Sequence, residues 1–247
     1  MNTFLFDLDG TLLPMDQDAF MEAYFHSLTQ KMLPYGVEPK KLTQAVFMGI
    51  KAMIDNDGSM TNEQRFWNTF TGREGEMMLS LKPVFEDYYR NEFLTAKKAT
   101  ACRSESKSCI RLLKEKGYTV VLATNPLFPR IATLNRIAWA GLSETDFDLI
   151  TTYENSSYCK PNRGYYREIL KKIGKEGSDC IMVGNDIQDD MCVEELGIET
   201  YLLTDCLINR AAVDISCYRQ GALPELLNYI RSLPALCETM AALPSLG

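Results

Sequence analysis

Two aspartates stand two residues apart where an apolar run near the start of the chain ends. Phe4–Phe6 leads into Asp7 and Asp9, and Gly10 and Thr11 follow at once. Because side chains alternate across a strand, both carboxylates point the same way if strand geometry persists through Asp9. Carboxylates side by side repel each other unless a cation or a shared proton intervenes. The alternative is an Asx-type turn in which Asp9 bonds its own backbone, and a lone pair of aspartates favours that alternative.

Composition limits the classes of protein to consider. The chain has 247 residues, 46% of them hydrophobic and 24% charged, which fits one large soluble domain or a core domain with an insert. Its net charge of −7 argues against nucleic acid as a partner, since phosphates need a basic surface. The start of the chain lacks the features of a signal peptide, and no apolar segment is long enough for a bilayer. We therefore expect a cytoplasmic protein with no membrane partner.

The eight cysteines do not predict a metal or disulfide framework. They are scattered, with no Cys-x-x-Cys pair, and the single histidine, His26, is far from all of them in sequence. Structural zinc sites usually show closely paired ligands. We expect these cysteines to be reduced and mostly buried.

The segment from about 16 to 98 has helical character. Its first predicted helix, over 17–33, carries apolar residues at three-and-four spacing, namely Phe20, Ala23, Tyr24, Leu28 and Met32. A second helix is predicted near 42–53, a third opens at the capping box 61–64, and a fourth covers about 84–93. These patterns predict a helical segment with few strands.

From about residue 104 the pattern alternates between helix and strand. Strands are predicted over 118–123, 147–153, 180–183 and 200–203, with helices over 106–116, 131–139, 165–173 and 191–196 between or after them. Such alternation is typical of parallel strands joined by right-handed crossovers. The first strand belongs to this set, so the sequence predicts a doubly wound α/β core with a helical insert. A further helix is expected at 222–233.

Polar residues follow the ends of four of the five predicted strands, all but the one at 200–203. Ligands bind at the carboxyl edge of such a sheet, where all these ends meet. Taken one at a time, these residues are better explained as helix caps, turn residues or solvated charges. Because they occur together at one edge, we predict that they form a functional site. The set is Asp7, Asp9, Thr124, Asn125, Lys160, Asn185, Asp186, Asp189 and Asp190.

At these residues the sequence resembles the haloacid dehalogenase-like (HAD) superfamily of hydrolases. The first motif corresponds to residues 7–11, the second to Thr124 in 122–125, and the third to Lys160 in 159–161; 184–186 with Asp190 resembles the fourth. The resemblance implies a Rossmann-like core at 1–14 and 101–247 with a helical C1 cap at 15–100. Many relatives carry Asp directly after the fourth-motif glycine, whereas here that position is Asn185. We favour Asp186 as the metal ligand, with Asn185 as the alternative.

The resemblance and the residue types together imply a mechanism. Asp7 is the expected nucleophile, and Asp9 is the expected acid that protonates the leaving oxygen and later activates water. Thr124, Asn125 and Lys160 are expected to hold the phosphoryl group. Mg²⁺ is the expected cofactor, held by Asp7, by Asp9 through its backbone carbonyl and by Asp186. Asn185 and Asp190 are expected to support the site.

Charge also indicates a cation. Asp7, Asp9, Asp186 and Asp190 face a single lysine, Lys160, so a dianionic substrate needs a bound metal to enter. The resulting hypothesis is a Mg-dependent phosphatase acting on a small phosphorylated metabolite. A sugar phosphomutase or a non-catalytic phosphate-binding protein are the alternatives.

Other activities of the family are disfavoured, and several properties stay open. Asp9 disfavours dehalogenation, because a halide needs no proton. Phosphonate hydrolysis is disfavoured because residues 12–15, directly after Thr11, contain no lysine. The substrate, the oligomeric state and any role for residues after Asn209 stay open. Specificity is expected in the cap, where the aromatic residues are interpreted as core rather than as substrate contacts; these are Tyr24, Phe47, Trp67 and Phe70.

Overall fold

The computed structural model describes residues 1–74 and 76–236, and within them six strands form one parallel sheet. The strands are β1 Thr3–Phe6, β2 Thr119–Leu122, β3 Leu149–Ile150, β4 Cys180–Gly184, β5 Glu199–Leu203 and β6 Gln220–Gly221. Their order is β3-β2-β1-β4-β5-β6, and every neighbouring pair is parallel. The predicted doubly wound α/β class is confirmed.

The first strand lies inside the sheet, between β2 and β4. Phe6 pairs with Leu122 on one side and with Val183 on the other, so the three strands end at the same level. All four residues of β1 are buried, as expected of a strand covered on both faces. This register brings the residues that follow β1, β2 and β4 to one edge.

Two predicted elements of the core differ from the structure. The strand expected at 147–153 is only β3, because the chain leaves the sheet after it and Tyr153 N–H donates to the Phe128 carbonyl at 3.2 Å. The helix expected at 191–196 is a 3₁₀ segment that ends at Gly197 in the left-handed conformation. The remaining core helices are α6 Ser104–Glu115, α7 Arg130–Trp139, α8 Arg163–Ile173 and α9 Leu223–Ser232.

The stretch between β1 and α6 is helical, as predicted. It contains α1 Gln17–Met32, α2 Pro39–Ile54, α3 Asn62–Glu74, α4 Glu76–Ser80 and α5 Lys82–Arg90, followed by a 3₁₀ segment Glu92–Ala99. The expected helix at 84–93 is therefore broken at Asn91, whose backbone is not helical. A helix N-cap opens α1, where the Asp16 side chain accepts from Ala19 N–H at 3.0 Å.

The entry and exit of this stretch lie side by side. Met15 and Thr100 form an antiparallel bridge, and Asp16 N–H donates to the Ala99 carbonyl at 2.9 Å. The helices also pack on the core, since the rings of Phe93 and Trp139 stack with centroids 5.3 Å apart. The division into a cap at 15–100 and a core at 1–14 and 101–247 stays a prediction.

The cysteines agree only in part with the sequence prediction: in the described ranges three of them, Cys109, Cys159 and Cys180, are buried, so the expectation that most are buried is wrong. The seven cysteines within the described ranges are free, and Cys237 lies outside them. Of the helices in the described ranges, none combines the length and apolar character that crossing a membrane requires.

Candidate active site

The eight residues that have roles in the expected mechanism all line one cleft of about 240 Å³ at the carboxyl edge of the sheet. Asp7 follows β1, Thr124 follows β2 and Asp186 follows β4, so the edge shared by these three strands builds the cleft floor. The set is Asp7, Asp9, Thr124, Asn125, Lys160, Asn185, Asp186 and Asp190. Asp189 also lines the cleft, in agreement with its place in the sequence prediction.

Lys160 lies at the centre of the charged network. Its side chain is 1% exposed, and its ammonium donates to Asp7 Oδ1 at 2.8 Å and to Asp190 Oδ1 at 2.7 Å. Burial alone would lower the pKa of Lys160, but the attraction of Asp190 and Asp7 holds that pKa well above its ordinary value. The lysine is therefore a fixed cation beside the Asp7 carboxylate.

Asp190 links Lys160 to the loop after β4. Its Oδ1 accepts from Lys160, and its Oδ2 accepts from the Asp186 backbone N–H at 3.0 Å. Burial raises the pKa of Asp190 to about 7, and the Lys160 charge opposes that rise. Gly184 leaves the room for this carboxylate, since a Cβ there would overlap the Asp190 side chain.

Asn185 is occupied by contacts within the protein. Its Oδ1 accepts from the Thr11 hydroxyl at 2.9 Å, and its Nδ2 donates to the Cys206 carbonyl at 2.7 Å. Gly10 adopts φ +85° against this amide, where a Cβ would overlap it. Asn185 thus ties the turn after β1 to the loop after β4.

Asp186 is held by backbone and by an arginine that sequence analysis missed. Its Oδ1 accepts from the N–H groups of Gln188 and Asp189 at 2.9 and 3.2 Å, and Arg210 donates to its Oδ2 at 2.6 Å. The sequence assigned no chemistry to the residues after Asn209. Arg210 follows no predicted strand, so no motif indicated its position.

Asp9 is paired with a second arginine that the sequence did not indicate, Arg136 on α7. The guanidinium is 1% exposed, donates to Asp9 Oδ2 and lies over the Phe128 ring at 4.5 Å. Asp9 Oδ1 is buried and has no hydrogen-bond partner in the described part of the chain. Burial raises the pKa of Asp9, and Arg136 opposes the rise. The signal available in the sequence for Arg136 was an arginine on the apolar face of a predicted helix, one turn after Ala132.

These two arginines correct the predicted charge balance. The expectation of one lysine among the acidic residues is wrong, because Arg136 and Arg210 each neutralise one of the carboxylates. The site still contains an excess of acidic side chains. Within residues 1–74 and 76–236, however, no three histidine, cysteine or acidic side chains are grouped as a metal cluster.

Side-chain hydrogen bonds to the Thr124 carbonyl hold the turn after β2 in place. The Thr124 carbonyl accepts from the Thr151 hydroxyl at 2.7 Å and from the Tyr165 hydroxyl at 2.8 Å. Asn125 Oδ1 accepts from the Lys160 backbone N–H at 3.2 Å. The second and third predicted motifs therefore contact each other directly.

Comparison with known proteins gives the same family as the motifs. The model of haloacid dehalogenase-like hydrolases matches residues 1–191. Pyrophosphatase PpaX from Bacillus velezensis is 23% identical over 203 residues, which cover 81% of this chain and 82% of that protein. Glyceraldehyde 3-phosphate phosphatase from Methanothermobacter thermautotrophicus is 24% identical over 196 residues, with coverage of 77% and 80%. A crystal structure of a HAD phosphatase from Thermococcus onnurineus superposes with a TM-score of 0.60 at 17% identity, covering 96% of this chain and all of that one.

Proposed function

Because the chain belongs to the haloacid dehalogenase-like hydrolase family, we propose that it is a magnesium-dependent phosphatase acting on a small phosphate monoester. The observation that carries the proposal is the Asp7 carboxylate, which Lys160 holds at 2.8 Å where β1 ends in the cleft. A carboxylate fixed in this way, with no thiol or imidazole among the described residues that line the cleft, suits nucleophilic attack on phosphorus.

In the first step Asp7 displaces the alcohol. Lys160 donates to Oδ1, which orients the carboxylate and leaves Oδ2 to attack. The bond from Oδ2 to phosphorus forms while the ester P–O bond breaks, and the leaving oxygen takes the proton of Asp9. Burial raises the pKa of Asp9, which favours the acid form that this step needs.

In the second step water hydrolyses the aspartyl-phosphate. Asp9, now a carboxylate, takes a proton from the water whose oxygen attacks phosphorus, and the bond to Asp7 Oδ2 breaks. Thr124, Asn125 and Lys160 line the same cleft and are the groups we assign to the phosphoryl oxygens. Phosphate leaves, and both aspartates return to their starting states.

The residues of the cleft fit Mg²⁺. Five acidic side chains of the described chain belong to the site, against three basic ones, Lys160, Arg136 and Arg210. Asp7 and Asp186 with the Asp9 carbonyl are an all-oxygen set with two carboxylates, as Mg²⁺ prefers. We assign the fourth-motif ligand to Asp186, because it is a carboxylate whose partner Arg210 is 56% exposed and can be displaced by the ion. Asn185 is a neutral amide engaged at both ends by Thr11 and Cys206. When bound, the ion neutralises charge on the transferring phosphoryl group.

Hydrolysis of 4-nitrophenyl phosphate tests the proposal. We expect turnover with Mg²⁺, loss with excess EDTA, and at least a roughly thousandfold loss in Asp7→Asn. Asp18→Asn, the same change at an exposed position on α1, is the matched control and keeps the parental rate.

Each opposite outcome rejects a defined part of the proposal. An Asp7→Asn variant as active as the parent rejects the mechanism, and full activity in EDTA rejects the metal. Conversion of a sugar phosphate to its isomer without phosphate release would indicate the phosphomutase instead.

A further inference from the structure

A second cavity, of about 200 Å³, lies between the helices of 17–90 and the core. Its walls are mostly apolar and aromatic: Ile50, Phe66 and Trp67 come from α2 and α3, and Phe85 from α5. Phe128 closes it from the core side. We call this cavity the aromatic pocket.

We propose that the aromatic pocket binds the body of the substrate alcohol, and that the substrate is the phosphate ester of an apolar alkyl or aryl alcohol. The inference rests on the proposed phosphatase function and specifies its substrate class. Its basis is the position of the pocket, the chemistry of its walls and the pairing of its charged groups.

The pocket adjoins the catalytic cleft. Leu127 lines both cavities, and its N–H donates to the Asn125 carbonyl at 2.8 Å, so one short turn connects a phosphate-site residue to the pocket wall. Helix α1 also connects the cleft to the pocket, because Gln17 lines the cleft and Met21, one turn later on the same face, lines the pocket. A phosphoryl group at Asp7 therefore directs the remainder of the ester toward this pocket.

The walls offer mainly packing and few hydrogen-bonding groups: the buried Trp67 indole N–H has no partner in the described chain, and Glu86 contributes a carboxylate. Trp67 and Phe85 meet edge to face with centroids 5.6 Å apart. The hydroxyls of Tyr24 and Tyr89 bond each other at 3.1 Å, and burial raises the pKa of Tyr24 to about 12, so both stay neutral and occupied. A sugar or nucleoside would leave most of its hydroxyl groups unpaired here, which is costly in a buried site.

The charged groups of the pocket disfavour a second anion on the substrate. In the described chain Lys82 is the only cation on the lining, and Glu63 holds it at 2.7 Å. Glu86 adds a negative charge to the same wall. A leaving group with a carboxylate or a second phosphate would therefore meet no unpaired positive charge.

A series of n-alkyl phosphates from methyl to hexyl, with glycerol phosphate as the polar comparison, tests the proposal. We expect kcat/KM to rise with chain length by up to about fourfold for each methylene that enters the pocket. We expect glycerol phosphate to be hydrolysed more slowly than propyl phosphate, which has the same carbon count.

Filling the pocket should remove this dependence. Ile50→Trp places a large ring in the cavity, and we expect the ratio of kcat/KM for hexyl over methyl phosphate to fall toward one. Lys40→Trp introduces the same side chain at an exposed position of α2 and should preserve the parental ratio. Circular dichroism confirms that both variants are folded.

The outcomes separate this inference from the proposed function. If methyl phosphate and 4-nitrophenyl phosphate are both inert with Mg²⁺, the phosphatase proposal fails. If they are hydrolysed but chain length has no effect, or glycerol phosphate is preferred, the apolar substrate class is wrong and the phosphatase stands. An unchanged ratio in folded Ile50→Trp places the leaving group outside the pocket.

Discussion

The catalytic cleft and the aromatic pocket meet at Leu127, yet different forces hold them together. In the cleft Lys160 bridges Asp7 and Asp190 at 2.7–2.8 Å, and each partner has a defined contact. In the pocket, rings pack at centroid distances of 5 to 6 Å with no dominant contact. Buried ionic networks fail when one member is lost, whereas apolar walls tolerate changes of similar volume. Five substitutions test this contrast.

Lys160→Met should have the largest effect. It removes the cation between Asp7 and Asp190, so the nucleophile is no longer oriented and the phosphoryl charge is no longer balanced. We expect the rate of 4-nitrophenyl phosphate hydrolysis to fall about 10³-fold. Lys171→Met, on the exposed side of α8, is the control and should stay within twofold of the parent. Retention of a tenth of the activity in Lys160→Met would contradict the assigned role.

Arg136→Met should lower the free energy of unfolding in a pH-dependent way. Without Arg136 the pKa of buried Asp9 rises further in the folded protein. In the unfolded chain the pKa of Asp9 stays at about 3.9. Below pH 4 Asp9 is neutral in both states, so little stability is lost. The parent and the variant differ only above the pH at which Asp9 ionises in the folded parent, because in the variant only the unfolded chain ionises there. The loss then grows to about 3 kcal/mol at pH 8.

Urea denaturation at pH 4 and pH 8 measures this difference. Arg111→Met is the control, because that side chain is 71% exposed and its pair with Glu115 contributes little. A deficit of equal size at both pH values would show that Arg136 acts through packing alone.

Two glycine-to-alanine substitutions should change the stability of the protein in opposite directions. A Cβ on Gly184 overlaps the Asp190 side chain, so Gly184→Ala should destabilise the protein by about 2 kcal/mol and displace a partner of Lys160. Gly72 on α3 has open space around the same position, so Gly72→Ala should stabilise it by about 1 kcal/mol. Thermal unfolding compares them directly, and equal shifts would show that the space beside Asp190 is not tight.

Lys82→Met should have the smallest effect. It breaks a half-exposed pair with Glu63 and a cation–π contact with Trp67 at 5.5 Å, which together contribute about 1 kcal/mol. We expect the Tm to fall by about 3 °C. Differential scanning calorimetry beside Lys160→Met would show whether a lysine matters less in the pocket than in the cleft, and an equal loss would abolish the contrast.

The cleft could be predicted because its residues follow strand ends. Asp7, Thr124 and Asp186 each come directly after or within two residues of a strand, so local patterns were sufficient to group them. Arg136 and Arg210 lie 127 and 24 residues from their acidic partners, and their approach depends on how α7 and the loop after β5 pack. Packing of that kind has no local signature.

The aromatic pocket could not be predicted from the sequence for a related reason. Helical spacing shows that a ring faces inward but not whether it meets another side chain or a cavity. Of the four rings interpreted as core, Phe70 and Tyr24 are buried as expected. Tyr24 also lines the pocket, together with Trp67 and with Phe47, which is 49% exposed. Whether a ring is buried in the core or lines the pocket depends on contacts among α1, α2, α3 and the turn at 127–129.

The sheet has a short edge strand on each side. Its outermost strands, β3 and β6, have two residues each, whereas the interior strands have four or five. An unpaired strand edge is a template for another chain, and two residues give too short a ladder for stable pairing. We therefore expect concentrated solutions of the folded protein to resist edge-to-edge aggregation, without the charged or proline-rich border strands that other sheet proteins use for this purpose.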